Sequence, residues 1–212
     1  MTRRWAVTAV CTVAVVTVLS TVSQAQVARG LLDPNVAIEQ ELIALPHMNA
    51  GIVKKLVAQR PFLNVVALNA FLKEQSLTTA QIADVFRKAF VHINLNTASA
   101  DEIVLIPGAG KRMAHEFEEY RPWKAFAQFD KEIGKYVPRA EVERLKSYTF
   151  IPLKLNTATE ADFMTIPGVG KRMAHELEEY RPWKTQQQFQ KEIGKYVNEK
   201  EVARLWRYVT LR

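Results

Sequence analysis

Residues 95–123 read LNTASADEIVLIPGAGKRMAHEFEEYRPW, and residues 155–183 read LNTATEADFMTIPGVGKRMAHELEEYRPW. The likeness extends on both copies: residues 95–150 and 155–210 align at an offset of 60 without a gap, with 35 identities in 56 pairs. Such self-similarity marks a repeat architecture, in which each copy is one supersecondary unit. A fainter copy lies upstream. Asn35, Ala37, Leu45-Pro46 and Arg60-Pro61-Phe62 stand 61 positions before Asn96, Ala98, Ile106-Pro107 and Arg121-Pro122-Trp123. Ala80, Ile82 and Phe90 continue it at an offset of 60, which implies one deletion. The chain therefore divides into residues 1–25, a degenerate module over 26–92, and modules over 93–152 and 153–212.

Each module is predicted to hold four short helices, giving an all-α fold. Ser99 with Glu102 is spaced as a capping box, and Thr159 with Asp162, Thr78 with Gln81 and Asn198 with Glu201 repeat that spacing. Pro138 takes the cap position in the second module. The helix after Ser99 is expected to run to about Leu105 and to be broken by Pro107-Gly108-Ala109-Gly110, where proline disfavours helical geometry before it and glycine permits positive φ. From Lys111 to Tyr120, Met113, Phe117 and Tyr120 recur at three and four spacing and mark a buried stripe. Phe126, Phe129 and Ile133 predict a third helix, Gly134 a turn, and Val142, Leu145 and Tyr148 a fourth. The short, partly apolar connections at 90–95 and 150–155 do not read as flexible linkers. Sixty residues bury a marginal core, so neighbouring modules are expected to pack together.

Composition excludes several classes. Of 212 residues, 48 % are hydrophobic and 24 % charged, values of a folded chain rather than a disordered one. One cysteine excludes a disulfide scaffold and a Cys-based zinc site. The loop Pro107–Arg112 is not a phosphate-binding P-loop, because Leu105 stands where the first glycine would be and Arg112 replaces the hydroxyl residue. His115 and His175 lack a companion at metal spacing, and no catalytic constellation is present, so neither enzyme activity nor a metal or cofactor is expected. Trp123 and Trp183 are expected to close a helix turn against the core.

Residues 1–25 read as an export signal: Arg3 and Arg4, an apolar stretch from Trp5 to Leu19, and Ser23-Gln24-Ala25 as a cleavage site. The expected location is outside the cytoplasm, in the periplasm. Retention of the segment would instead give membrane association. Net charge is +2 over residues 1–25, +2 over 26–90, zero over 91–150 and +3 over 151–212, for a total of +7. That is mildly basic, so any polyanion site must depend on where the charges sit.

The stretches LNTASADEIVLIPGAGKRMAHEFEEYRP and LNTATEADFMTIPGVGKRMAHELEEYRP resemble the helix-hairpin-helix module of ComEA-type competence DNA receptors, exported proteins that bind double-stranded DNA without sequence preference. The resemblance is close over residues 94–212 and weak over 33–90. It implies that Gly108, Gly110, Gly168 and Gly170 shape hairpins whose backbone amides contact DNA phosphates, with Lys111, Arg112, Lys171 and Arg172 beside them. In that family the hairpin also sometimes holds a monovalent cation. Physical chemistry favours the same place, since free amides at a helix start attract anions. Lys and Arg in a first helical turn oppose the helix dipole by about 0.3–1 kcal/mol each unless an anion sits there.

Other features oppose that reading. Glu116, Glu118, Glu119 and their copies Glu176, Glu178 and Glu179 would repel phosphates if they faced them, and Arg112–Glu116 is spaced as an i,i+4 pair. The family's second hairpin is degraded to Ile-Gly-Lys-Tyr, where Lys135 and Lys195 still add charge. In the first module His47, Met48, Asn49 and Ala50 replace Gly108, Ala109, Gly110 and Lys111, and Asn49 is the residue expected to take the left-handed bend. Residues 26–92 are read as a structural cap or a protein-binding surface. The alternative for the whole chain is an exported scaffold or protein-interaction module.

Overall fold

The computed structural model describes residues 30–211; the predicted export signal lies outside them. Twelve short helices occur among the described residues, four in each repeat. The first repeat has α1 (Glu39–Ile43), α2 (Ala50–Gln59), α3 (Val65–Glu74) and α4 (Thr79–Phe86). The second has α5 (Ala100–Ile103), α6 (Lys111–Glu119), α7 (Phe126–Ile133) and α8 (Arg139–Lys146). The third has α9 (Glu160–Phe163), α10 (Lys171–Glu179), α11 (Gln186–Ile193) and α12 (Glu199–Trp206). The reciprocal capping boxes at Ser99, Thr159 and Thr78 are formed. Asn198 accepts from the Glu201 amide in the same position. The helix after Ser99 ends earlier than expected, at Ile103.

The fold is mostly helical, but it carries short parallel strand pairs that helical periodicity did not predict. β1 (Ile93–Asn94) pairs with β2 (Thr149–Phe150), and β3 (Leu153–Lys154) pairs with β4 (Val209–Thr210). In the first repeat Leu32 and Ala89 form the equivalent single bridge. The strands close each repeat end to end, and two residues are too few to show an alternating pattern. These segments are the partly apolar connections, made rigid by backbone pairing.

A polar clasp recurs inside every repeat. The side-chain amide of Asn35 donates to the Phe62 carbonyl at 3.0 Å, and its Oδ1 accepts from the Phe62 amide at 2.7 Å. Asn96 does the same with Trp123, and Asn156 with Trp183. The guanidinium just upstream, of Arg60, Arg121 or Arg181, donates to the carbonyl of Ala37, Ala98 or Ala158. Each Arg-Pro bond in the clasp is cis. The clasp seats an aromatic ring in the core: Trp123 is 1 % exposed, and its indole N–H donates to the Phe117 carbonyl at 2.8 Å.

One hydrophobic core runs through the first two repeats, and a second fills the third. Aromatic contacts carry the packing from repeat to repeat, with Phe90 and Tyr148 at 4.9 Å and Phe150 and Tyr208 at 4.5 Å between ring centroids. The arrangement is not simply linear. The first repeat also touches the third, where the Tyr208 hydroxyl donates to Asp33 Oδ2 at 3.2 Å and Arg207 donates to the His92 carbonyl at 2.9 Å. A contact between residues so distant in sequence leaves no local signal.

His92 is buried at this junction, 2 % exposed, with Nδ1 4.0 Å from Asp33 Oδ2. Burial pushes its pKa below the ordinary 6.5, with the help of Arg207 and against the raising pull of Asp33 and of the Ser147 backbone. The unfolded chain therefore binds a proton that the folded chain refuses. His92 favours the fold fully above about pH 6.5, and this contribution falls as pH drops toward the lowered value. Urea melts should show stability declining as the pH falls below about 6.5, and His92→Phe should flatten that decline. Asn96→Ala, which leaves the Trp123 amide and carbonyl without partners, should cost roughly 1–3 kcal/mol in the same assay.

Candidate functional site

The hairpins of the second and third repeats sit between α5 and α6 and between α9 and α10. Gly108 and Gly168 adopt φ of 87° and 79°, the left-handed region that favours glycine. Gly110 and Gly170 differ, being extended N-caps of α6 and α10 with φ of −92° and −95°. A glycine N-cap has no side chain to accept from the amides of the first turn, and neither helix has a side-chain cap. Lys111, Arg112, Lys171 and Arg172 are exposed immediately after these caps.

The first repeat makes the same bend with different residues. The left-handed position is His47, with φ of 61°, and not Asn49 as its residue type suggested. Asn49 stands instead where Gly110 stands, as the N-cap of α2, and its Oδ1 accepts from the Ile52 amide at 3.0 Å. An amide that the glycine caps leave open is thus filled in the first repeat by the chain's own side chain. His47 Nε2 bonds Asp84 at 2.9 Å, which places an acid beside this hairpin.

The Ile-Gly-Lys-Tyr segments that follow α7 and α11 are drawn into the site. Arg112 lies over the Tyr136 ring at 5.6 Å, and Lys135 Nζ lies 5.1 Å from the centroid of Tyr120. The two tyrosine hydroxyls are 2.9 Å apart. The third repeat repeats the group, with Arg172 over Tyr196 at 5.6 Å and Lys195 at 4.9 Å from Tyr180. Arg112 and Lys135, 23 positions apart in sequence, are therefore joined through a tyrosine pair. Lys135 and Lys195 also pair with Glu132 and Glu192, which hold their pKa values above the ordinary 10.5.

The acids on α6 are placed differently from the sequence expectation. Glu116 is 6 % exposed, and with Tyr120 it raises the pKa of the Tyr136 hydroxyl, Tyr120 contributing most. The proposed i,i+4 pair is absent: Arg112 forms no ion pair among the described residues, because Glu116 points inward and Arg112 stacks on Tyr136. Glu119 pairs with His115 at 3.6 Å, and Glu118 lies 4.0 Å from Arg121. Met113 and Tyr120 are half-buried, while Ala114 and Phe117 form the deeper stripe.

Sequence reasoning missed one residue at the hairpin. A Cβ on Gly108 would lie 3.3 Å from Arg144 Nη2, and a Cβ on Gly168 would lie equally far from Arg204 Nη2. These arginines come from α8 and α12. Their identity at an offset of 60 was the available signal, but helical spacing alone does not place them against a loop 36 positions away.

No protein-family model, no curated protein and no solved structure matches the chain. No helix among the described residues is long and apolar enough to cross a membrane.

Proposed function

We propose that this chain is an exported tandem array of three helix-hairpin-helix modules, of the ComEA-like kind, that binds double-stranded DNA without sequence preference. The observation that carries the reading is the contrast in capping. Both repeated hairpins keep glycine N-caps followed by exposed Lys-Arg, whereas the first repeat fills its cap with Asn49 and sets Asp84 beside it. Open amides at a helix start, with cations at a position the dipole disfavours, suit a phosphate. In this reading Gly108, Gly110, Gly168 and Gly170 let the backbone approach the strand. Lys111, Arg112, Lys171 and Arg172 supply charge, and Lys135 and Lys195 add to it through the tyrosine pairs. No reaction is involved. Export rests on residues 1–25, and DNA uptake is the setting that the resemblance suggests.

A second reading gives residues 26–92 a protein partner. Of the seven exposed large hydrophobics among the described residues, five, Val36, Ile38, Ile43, Leu63 and Val66, lie in the first repeat. The two readings are compatible, since a partner at the first repeat leaves the other hairpins to the duplex.

Fluorescence anisotropy of labelled duplex DNA, titrated across a salt series, tests the first reading. Two hairpins contacting about four to six phosphates should give a log–log slope of roughly −0.9 per contact. Changing Lys111, Arg112, Lys171 and Arg172 together to alanine should remove several contacts' worth of slope while circular dichroism stays unchanged. Absence of binding at low salt would contradict the reading.

A further inference from the structure

One position of the fourth helix faces the hairpin in every repeat, and its charge and exposure differ each time. In the first repeat it is Asp84, bonded to His47. In the second it is Arg144, whose side chain is 34 % exposed. In the third it is Arg204, whose side chain is 1 % exposed, with Nη1 buried and without a hydrogen-bond partner among the described residues.

The arginines are held alike, so their own helices do not explain the difference. Glu141 accepts from Arg144 Nε at 2.7 Å and Nη2 at 2.6 Å, and Glu201 accepts from Arg204 at 2.8 and 2.6 Å. The difference comes from the first repeat. Val36 Cγ1 would meet a Cβ on Gly168 at 2.8 Å, and the nearby Asp33 carboxylate acts on Arg204 and accepts from Tyr208. Nothing of this kind approaches Gly108, where Arg144 Nη2 is the nearest group.

We infer that Arg144 is a further phosphate-contacting residue, and that the fourth-helix position sets the anion affinity of each hairpin. The inference rests on the DNA-binding reading above. The second repeat then has an accessible third cation beside Lys111 and Arg112. The third repeat has withdrawn its equivalent into the contact with the first. Glu141 holds the Arg144 guanidinium in one orientation, which lowers the ordering cost of a contact while offsetting part of its charge. Binding is therefore centred on the second hairpin although the two hairpins share their glycines and their Lys-Arg pair.

The same anisotropy titration, run on single and paired variants, separates the possibilities. Arg144→Gln should weaken binding several-fold at low salt and reduce the slope by about 0.9, one contact. Glu141→Gln should tighten binding by freeing the charge of Arg144, an effect that a purely structural arginine would not produce. Lys111→Ala with Arg112→Ala should cost more than Lys171→Ala with Arg172→Ala. If the unaltered protein binds DNA but Arg144→Gln and Glu141→Gln leave slope and affinity unchanged, or the two paired variants lose equally, the inference is overturned and the DNA reading stands. If the unaltered protein fails to bind at low salt, both fall.

Discussion

The clasp between an asparagine near the start of each repeat and the aromatic residue after its Arg-Pro is the constraint on which the rest depends. Asn35, Asn96 and Asn156 each satisfy both backbone groups of Phe62, Trp123 or Trp183, and the preceding arginine ties off an alanine carbonyl beside them. Backbone polar groups entering a core must find partners, and a side-chain amide with one donor and one acceptor end meets that demand in one residue. With the clasp closed, the ring packs inward, the first helix of the repeat is held, and the bend that follows it opens outward. The site geometry is thus a consequence of core chemistry.

Repetition supplies the scaffold, and departures from it make the repeats physically different. Each repeat closes through a short parallel pairing, and the aromatic pairs at Phe90–Tyr148 and Phe150–Tyr208 stack one repeat on the next. The loop closes at Asp33 and Tyr208, where the first repeat meets the third. A homogeneous array would have two free ends there. Here the degenerate first copy contributes Asp33 and Val36 to the third, and in doing so makes two hairpins with shared glycines and cations physically unequal.

Much of this was legible in the sequence, and the unread part has physical causes. The residues that betrayed the faint first copy, Asn35, Ala37 and Arg60-Pro61-Phe62, are the clasp itself, so its spacing was visible although its bonds were not. Helix starts followed from capping spacing. Residue preference points to Asn49 as the left-handed residue of the first hairpin, whereas the bend falls at His47, whose bond to Asp84 accompanies that outcome. Helical spacing sets Glu116 against Arg112, yet Glu116 turns inward toward Tyr136. Arg144 and the contact between first and third repeats depend on packing between distant segments, which no local period records.

The most direct test of the account is a site-resolved one: backbone amide spectra of the protein recorded by NMR while short duplex DNA is added at low salt. Open, glycine-capped helix starts predict the largest shifts at the amides of residues 108–113, smaller ones at 168–173, and none at residues 49–52, where Asn49 occupies the cap. Equal shifts at the first repeat, or shifts confined to surfaces away from the hairpins, would contradict it.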